Sequence, residues 1–165
     1  MIYETRLALL DGPVELGVRS LHLLLAAYPH PLSLQSLVNC DYVLTHSDDV
    51  EGGPPGLHPK TPLRSGEILA KRTVLQQGLD LMMSRGLAEK VYRNDGVYFA
   101  VSEETASFID ALVSPYHKEV EARSVWIMTE FPPENPGIMD QFIRANIDTW
   151  GAEFNLALWH GEVSP

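Results

Sequence analysis

Cysteine is nearly absent from this chain of 165 residues, with Cys40 standing alone. An intramolecular disulfide and a cysteine-built zinc cluster are therefore excluded. Long apolar runs are missing as well. The longest near the front, Leu23 to Ala27, is far short of the roughly 20 residues that a membrane span needs. The first residues carry Glu4, Arg6 and Asp11 and lack the basic start of a secretion signal. Basic charge is scarce: 12 Lys and Arg stand against 22 Asp and Glu, for a net charge of −10. Such a surface repels phosphate and excludes a nucleic-acid coat over the whole protein. Neither Ser-x-x-Lys nor Gly-x-Ser-x-Gly is present, and the calcium-loop pattern is missing. Gly52-Gly53-Pro54-Pro55-Gly56 lacks the Gly-Lys-Ser/Thr that completes a phosphate cradle, and its prolines remove amide donors. No repeat, low-complexity tract or cofactor motif emerges. These absences lead to the expectation of a cytoplasmic protein without cofactor, metal or catalytic set. The length suits one domain, or one small domain with a helical extension.

What is there is unevenly distributed. Lys60, Arg64, Lys71, Arg72, Arg85, Lys90 and Arg93 face only Glu67, Asp80 and Glu89 over residues 60–93. That segment is +4 in a chain whose remainder is −14. It reads either as a solubilising helix face and hairpin or as a contact surface.

The apolar periodicity predicts a mainly α chain. Gly12-Pro13 starts a first helix over Val14 to Ala27, with Val18, Leu21 and Leu25 along one face. Pro29 and Pro31 end it. Ser33 caps a second helix, Leu34 to His46. Ser47 to Pro62 holds three glycines and four prolines, which leaves no regular element. A loop of that length inside a compact domain is uncommon and more often functional than not. A third helix follows from about Ser65 to Arg85, and Gly86 stops it. Leu87 to Arg93 and Val97 to Val101 read as strands. Asn94-Asp95-Gly96 between them is a hairpin turn, and the alternation of Val97, Phe99 and Val101 suits one buried face. Ser102 caps a helix running to Val113. Helices at Tyr116 to Phe131 and Gly137 to Trp150 complete the pattern. Glu4 to Leu10 and Phe154 to Trp159 are weaker strand candidates.

Three helices followed by a hairpin is the order of a winged helix. The expected fold is therefore mainly α with a small β-hairpin: a winged-helix core with C-terminal helices. The winged-helix domain spans 1–102 with its Gly/Pro loop at 47–62, and a C-terminal helical extension and tail span 103–165. In nucleic-acid readers of this kind the third helix enters the major groove and the wing touches phosphate. Lys71, Arg72, Lys90 and Arg93 would then be the contacts, although base-reading side chains are thin on the helix.

Other chemistry is less specific. His46, Asp48, Asp49 and His58 bracket the loop and carry donors suited to a divalent metal. Their spacing matches no zinc or calcium signature. The plainer reading is an aspartate-rich turn with exposed histidines. Asp41 beside Cys40 raises the thiol pKa rather than activating it, which makes Cys40 a core residue. His22 and His117 read as packing or surface residues.

Asp41-Tyr42-Val43-Leu44-Thr45-His46-Ser47, Gly53-Pro54, Leu57-His58-Pro59 and Arg64-Ser65-Gly66-Glu67 follow one another along the chain. Together they resemble the middle component of bacterial ABC-three-component systems. Leu81-Met82-Met83-Ser84-Arg85-Gly86-Leu87 and Ser114-Pro115-Tyr116 also fit, so the resemblance covers about residues 12–131. It implies a small non-enzymatic subunit acting between an SMC/Rad50-like ABC ATPase and an effector, often a nuclease. Lamassu-type systems of this kind defend bacteria against phage and plasmids. On this reading Asp41, His46, Asp49, His58, Arg64 and Glu67 anchor the loop or contact a partner, and Trp126 widens an apolar partner-facing stripe. DNA is a partner only within the assembled complex, and no membrane is involved. The rival readings are a winged-helix DNA-binding transcriptional regulator and, more distantly, a metal-dependent enzyme using His46 and His58.

Overall fold

The computed structural model describes residues 11–60, 64–147 and 149. Helix α1 spans Pro13–Ala27, with Gly12 at the cap position and Pro13 in the first turn. Proline is tolerated there because the first amides of a helix lack intrahelical acceptors. Strand β1, Leu32–Ser33, leads into α2, Leu34–Thr45. The Ser33 hydroxyl caps α2 by accepting from the Ser36 amide at 3.1 Å. Ser47–Asp49 forms one 3₁₀ turn inside the segment expected to be irregular. The 21-residue helix α3, Arg64–Ser84, follows. Gly86, at φ +69°, stops it: the Leu87 amide reaches back to the Met82 carbonyl and the Gly86 amide to the Met83 carbonyl. This is the helix end that the glycine predicted.

Strands β2, Ala88–Arg93, and β3, Gly96–Val101, form the hairpin. The sequence did not reveal β1, which is too short for a period to register. It pairs antiparallel with β3 and gives the sheet order β1-β3-β2. Phe99 is buried and Val101 packs on the core, but Val97 is 44% exposed. The tip of the hairpin reaches past the core, so the alternation buries only its base. Helix α4, Thr105–Asp110, is shorter than the expected run to Val113. The Thr105 hydroxyl accepts from the Ser102 amide at 2.9 Å and donates to the Leu87 carbonyl at 2.8 Å, tying α4 to the foot of the hairpin. Helix α5, Pro115–Glu130, is capped by Ser114. Residues 137–147 form α6. The expected strands at Glu4–Leu10 and Phe154–Trp159 lie outside the described residues, as does the end of the last helix.

The fold is thus mainly helical with one small antiparallel sheet. Helix α1 is its axis. Leu16, Leu21, Leu23 and Leu24 point in several directions around it, and all are buried. Its faces are covered by the rest of the fold, and each such leucine contributes roughly 1.5–3 kcal/mol by leaving water. The core continues without a break through Leu75, Leu79, Phe99, Val120, Ile127, Met139 and Ile143. It therefore joins the three-helix-and-hairpin part to α5 and α6. Helices α1 and α3 cross backbone to backbone at Gly17 and Gly78, where an added Cβ would meet the opposite main chain.

Candidate functional site

Charged residues are rare in protein interiors unless paired. Arg19, in the apolar centre of α1, is fully buried. Its Nε donates to Asp41 Oδ1 at 2.7 Å and an Nη2 donates to Oδ2 at 3.1 Å. Asp41, on α2, is itself fully buried. Lys71 of α3 brings Nζ to 3.1 Å from the same carboxylate and donates to the Thr45 hydroxyl at 3.3 Å. Asp41 and Thr45 sit one turn apart on α2, on the same face. One carboxylate thereby ties three helices together. The remaining positive charge is met at the edge by Asp11, whose Oδ1 lies 3.4 Å from Arg19.

The proton affinities follow from this geometry. Burial would raise the pKa of Asp41, but Arg19 and Lys71 more than reverse that and hold the carboxyl well below its usual range. Burial disfavours the Arg19 cation, yet Asp41 outweighs it and keeps the guanidinium charged. His58 is pushed down to about 4, by burial first and then by Arg19. Its imidazole is therefore neutral near pH 7.

The long loop closes over this network. The Leu57 and His58 amides both donate to the Thr45 carbonyl, at 2.9 and 3.0 Å. His58 Nε2 lies 2.9 Å from the Tyr116 hydroxyl of α5, which also accepts from Arg19 at 3.4 Å. Arginine only donates, so the Tyr116 oxygen accepts from it, and a second hydrogen bond joins the same hydroxyl to His58 Nε2. His58 Nδ1 faces Asp11 at 3.6 Å. Farther out, the Tyr42 hydroxyl donates to Asp49 at 2.7 Å, and the Lys60 ammonium reaches Asp48 and Asp49 at 3.3 and 3.6 Å. Arg123 of α5 donates twice to the Pro55 carbonyl, at 3.2 and 2.7 Å. The Ser47 hydroxyl donates to the same oxygen at 3.1 Å.

The structure thus brings Asp41 and His58 into one connected set and places His46 and Asp49 at its margin. His46 is buried against the Tyr42 ring, with centroids 4.9 Å apart. The expectation of exposed histidines is corrected: the loop folds inward and buries both His46 and His58. Arg64 and Glu67 lie in the first turn of α3, but the contacts expected of their side chains fall outside the described residues. Trp126 is half-buried on α5 and packs against the core.

Lys71 also departs from expectation. Its side chain is 5% exposed and committed to Asp41, so it presents no cation to phosphate. Arg72 is exposed and donates to Gln35 at 2.6 Å, while Lys90 and Arg93 lie exposed on the hairpin. Arg19 and Arg123 were not singled out from the sequence, and Tyr116 only as part of a family-like stretch. An arginine in a leucine-rich helix was the available signal, because such a charge demands a partner.

Cys40 is buried, and its thiol is pushed up to about 12 by burial and then by Asp41. His22 and His117 stack with centroids 5.9 Å apart. Among the described residues, no three or more His, Cys, Asp or Glu are grouped to hold a metal ion. A family model described as ABC-three component (ABC-3C) system Middle Component 2 matches residues 9–153. The chain belongs to that family. No curated protein and no solved structure matches it. Every element that builds the charged network of this middle component, from α1 to α5, lies inside the matched span. Family membership gives it an accessory role in a multi-subunit system. No described helix is long and apolar enough to cross a membrane.

Proposed function

We propose that this middle component is a non-enzymatic accessory subunit. It binds an SMC/Rad50-like ABC ATPase and couples it to an effector nuclease in Lamassu-type defence against phage and plasmids, in the cytoplasm. The observation that carries the reading is membership of the middle-component family over residues 9–153. The buried network supports it. Asp41 engages Arg19 and Lys71, and Tyr116 links Arg19 to His58, so that these groups hold helices and loop together rather than facing an open substrate cleft.

The core reads as a winged helix. The support is its order, α1-β1-α2-α3-β2-β3, and its sheet, β1-β3-β2. That fold serves protein contacts as well as DNA contacts, so fold alone does not choose between them. Burial of Lys71 removes one of the two cations expected to meet phosphate from the third helix and weakens the case for an independent DNA-binding regulator. Arg72, Lys90 and Arg93 remain exposed, placed to add a few phosphate contacts inside an assembled complex.

The test is a phage and plasmid challenge of cells carrying the complete system, with and without the gene for this chain. Protection lost while the ATPase and effector remain expressed is the expected outcome. Protection that persists without the chain would overturn the reading.

A further inference from the structure

A cleft of about 550 Å³ opens between the hairpin, the start of α2 and the turn joining α5 to α6. That volume falls in the range of pockets that take a ligand or an anchoring side chain. Its inner lining is apolar and rich in sulfur, from Cys40, Met128, Phe131 and Met139. The Cys40 thiol, pushed up to about 12, adds no charge. Methionine side chains bend to fit irregular apolar shapes, which suits a side chain arriving from another protein. Phe131 is fixed from behind by Phe142, with ring centroids 5.3 Å apart.

The rim is asymmetric. On the hairpin side, Arg93 lies over the Tyr98 ring at 5.1 Å, and the Tyr98 hydroxyl donates to Asp95 at 2.7 Å. Those groups are engaged within the hairpin. On the other side stand the exposed carboxylates of Glu134 and Asp140. Glu134 approaches the His30 imidazole at 4.0 Å, too far for a hydrogen bond. Pro132, Pro133 and Pro136 line the same side and have no amide to donate. An apolar floor beside two carboxylates, in a chain of net charge −10, is complementary to an apolar group next to a cation.

We propose that this cleft grips a segment of the ABC ATPase subunit in which a Leu, Met or aromatic anchor stands next to a Lys or Arg. The anchor enters between Met128, Phe131 and Met139, and the cation lies against Glu134 and Asp140. A buried anchor ringed by polar groups is the usual form of an interface hot spot. The inference rests on the accessory-subunit reading and adds to it the face that makes the contact.

The test uses the full-length chain assembled with the ABC ATPase and effector of its own system. p-Benzoylphenylalanine replaces Tyr98 in the cleft or, in a separate control, Tyr92, which is exposed on the hairpin outside it. After illumination, the Tyr98 probe is expected to cross-link to an ATPase segment carrying an apolar residue beside a Lys or Arg. Glu134→Arg with Asp140→Arg is expected to weaken the complex at least tenfold, and Glu103→Arg with Glu104→Arg less than twofold. Circular dichroism confirms that each variant is folded. An intact complex with no cross-link at Tyr98, or with one to the effector, to DNA or to a second copy of the chain, overturns the proposal and leaves the accessory reading standing. Equal effects of the two charge reversals do the same. Failure of the unmodified proteins to assemble at all overturns both.

Discussion

Arg19 holds both carboxylate oxygens of Asp41, at 2.7 and 3.1 Å, at a point where neither side chain reaches water. Taking two charges out of water costs several kcal/mol for each ion, and only close, multiple contacts repay it. Lys71 and Thr45 supply the further contacts here. The pair is therefore costly to break rather than a large net source of stability.

Asp41→Ala removes the buried carboxylate that Arg19 and Lys71 share. The expected loss is about 3–5 kcal/mol in urea unfolding. Replacing all three together, Arg19→Met, Asp41→Leu and Lys71→Met, is expected to cost less than Asp41→Ala alone. A single-variant loss under about 1 kcal/mol would show that the carboxylate does not hold the helices as described.

Acid is expected to unfold the protein in two stages. His22 and His58 are both pushed down to about 4 by burial, followed by His117 for His22 and by Arg19 for His58. Between pH 6.5, where the unfolded imidazoles titrate, and about 4, the unfolded chain binds protons that the folded chain refuses. Stability is then complete above pH 6.5 and falls as pH drops, by roughly 1 kcal/mol per pH unit for each histidine. Asp41, held below the usual carboxylate range, withdraws its contribution only in stronger acid. Urea midpoints measured from pH 7.5 to 4.5 check the slope, which His22→Phe should make shallower. An unchanged slope in that variant would contradict the assignment.

The crossing of α1 and α3 is set by two glycines. A Cβ on Gly17 would stand 2.7 Å from the Gly78 carbonyl oxygen, and one on Gly78 would collide with the main chain at Pro13 and Gly17. Gly78→Ala pushes the helices apart and is expected to cost about 1–3 kcal/mol despite the helix propensity of alanine. Stabilisation in thermal unfolding would mean that the helices do not meet so closely.

Much of this architecture was legible in the sequence. Gly86 ended α3, Asn94-Asp95-Gly96 turned the hairpin, and Ser33 capped its helix, because each acts through local backbone chemistry. Strand β1 was not legible, since two residues carry no periodicity and depend on partners 67 and 65 positions away. Asp41 and His58 were picked out by resemblance, but their environment was not. Whether a loop faces inward depends on acceptors such as the Thr45 carbonyl and the Tyr116 hydroxyl, which lie on distant elements. Lys71 misled for the same reason: a lysine's charge is visible in sequence, and the carboxylate it meets is not.

Two side chains of α5, Tyr116 and Arg123, reach across to the Gly/Pro segment. Arg123→Ala removes both donors to the Pro55 carbonyl from α5, and Tyr116→Phe removes the bond to His58. The double variant is expected to remain folded but to be cleaved between residues 50 and 60 at least fivefold faster under limited proteolysis. Each lost bond contributes about 1 kcal/mol to holding the segment closed. Cleavage at the unmodified rate would show that other contacts hold it.

The chain is proposed to act by binding an ATPase. This is tested most directly by titrating the purified full-length chain into the purified ABC ATPase subunit of its own system and following complex formation by mass photometry. The expected result is a saturable complex of fixed composition that survives dilution to nanomolar concentration and forms without DNA. Separate particles at every ratio, with the isolated chain instead binding duplex DNA in a steeply salt-dependent way, would contradict the account.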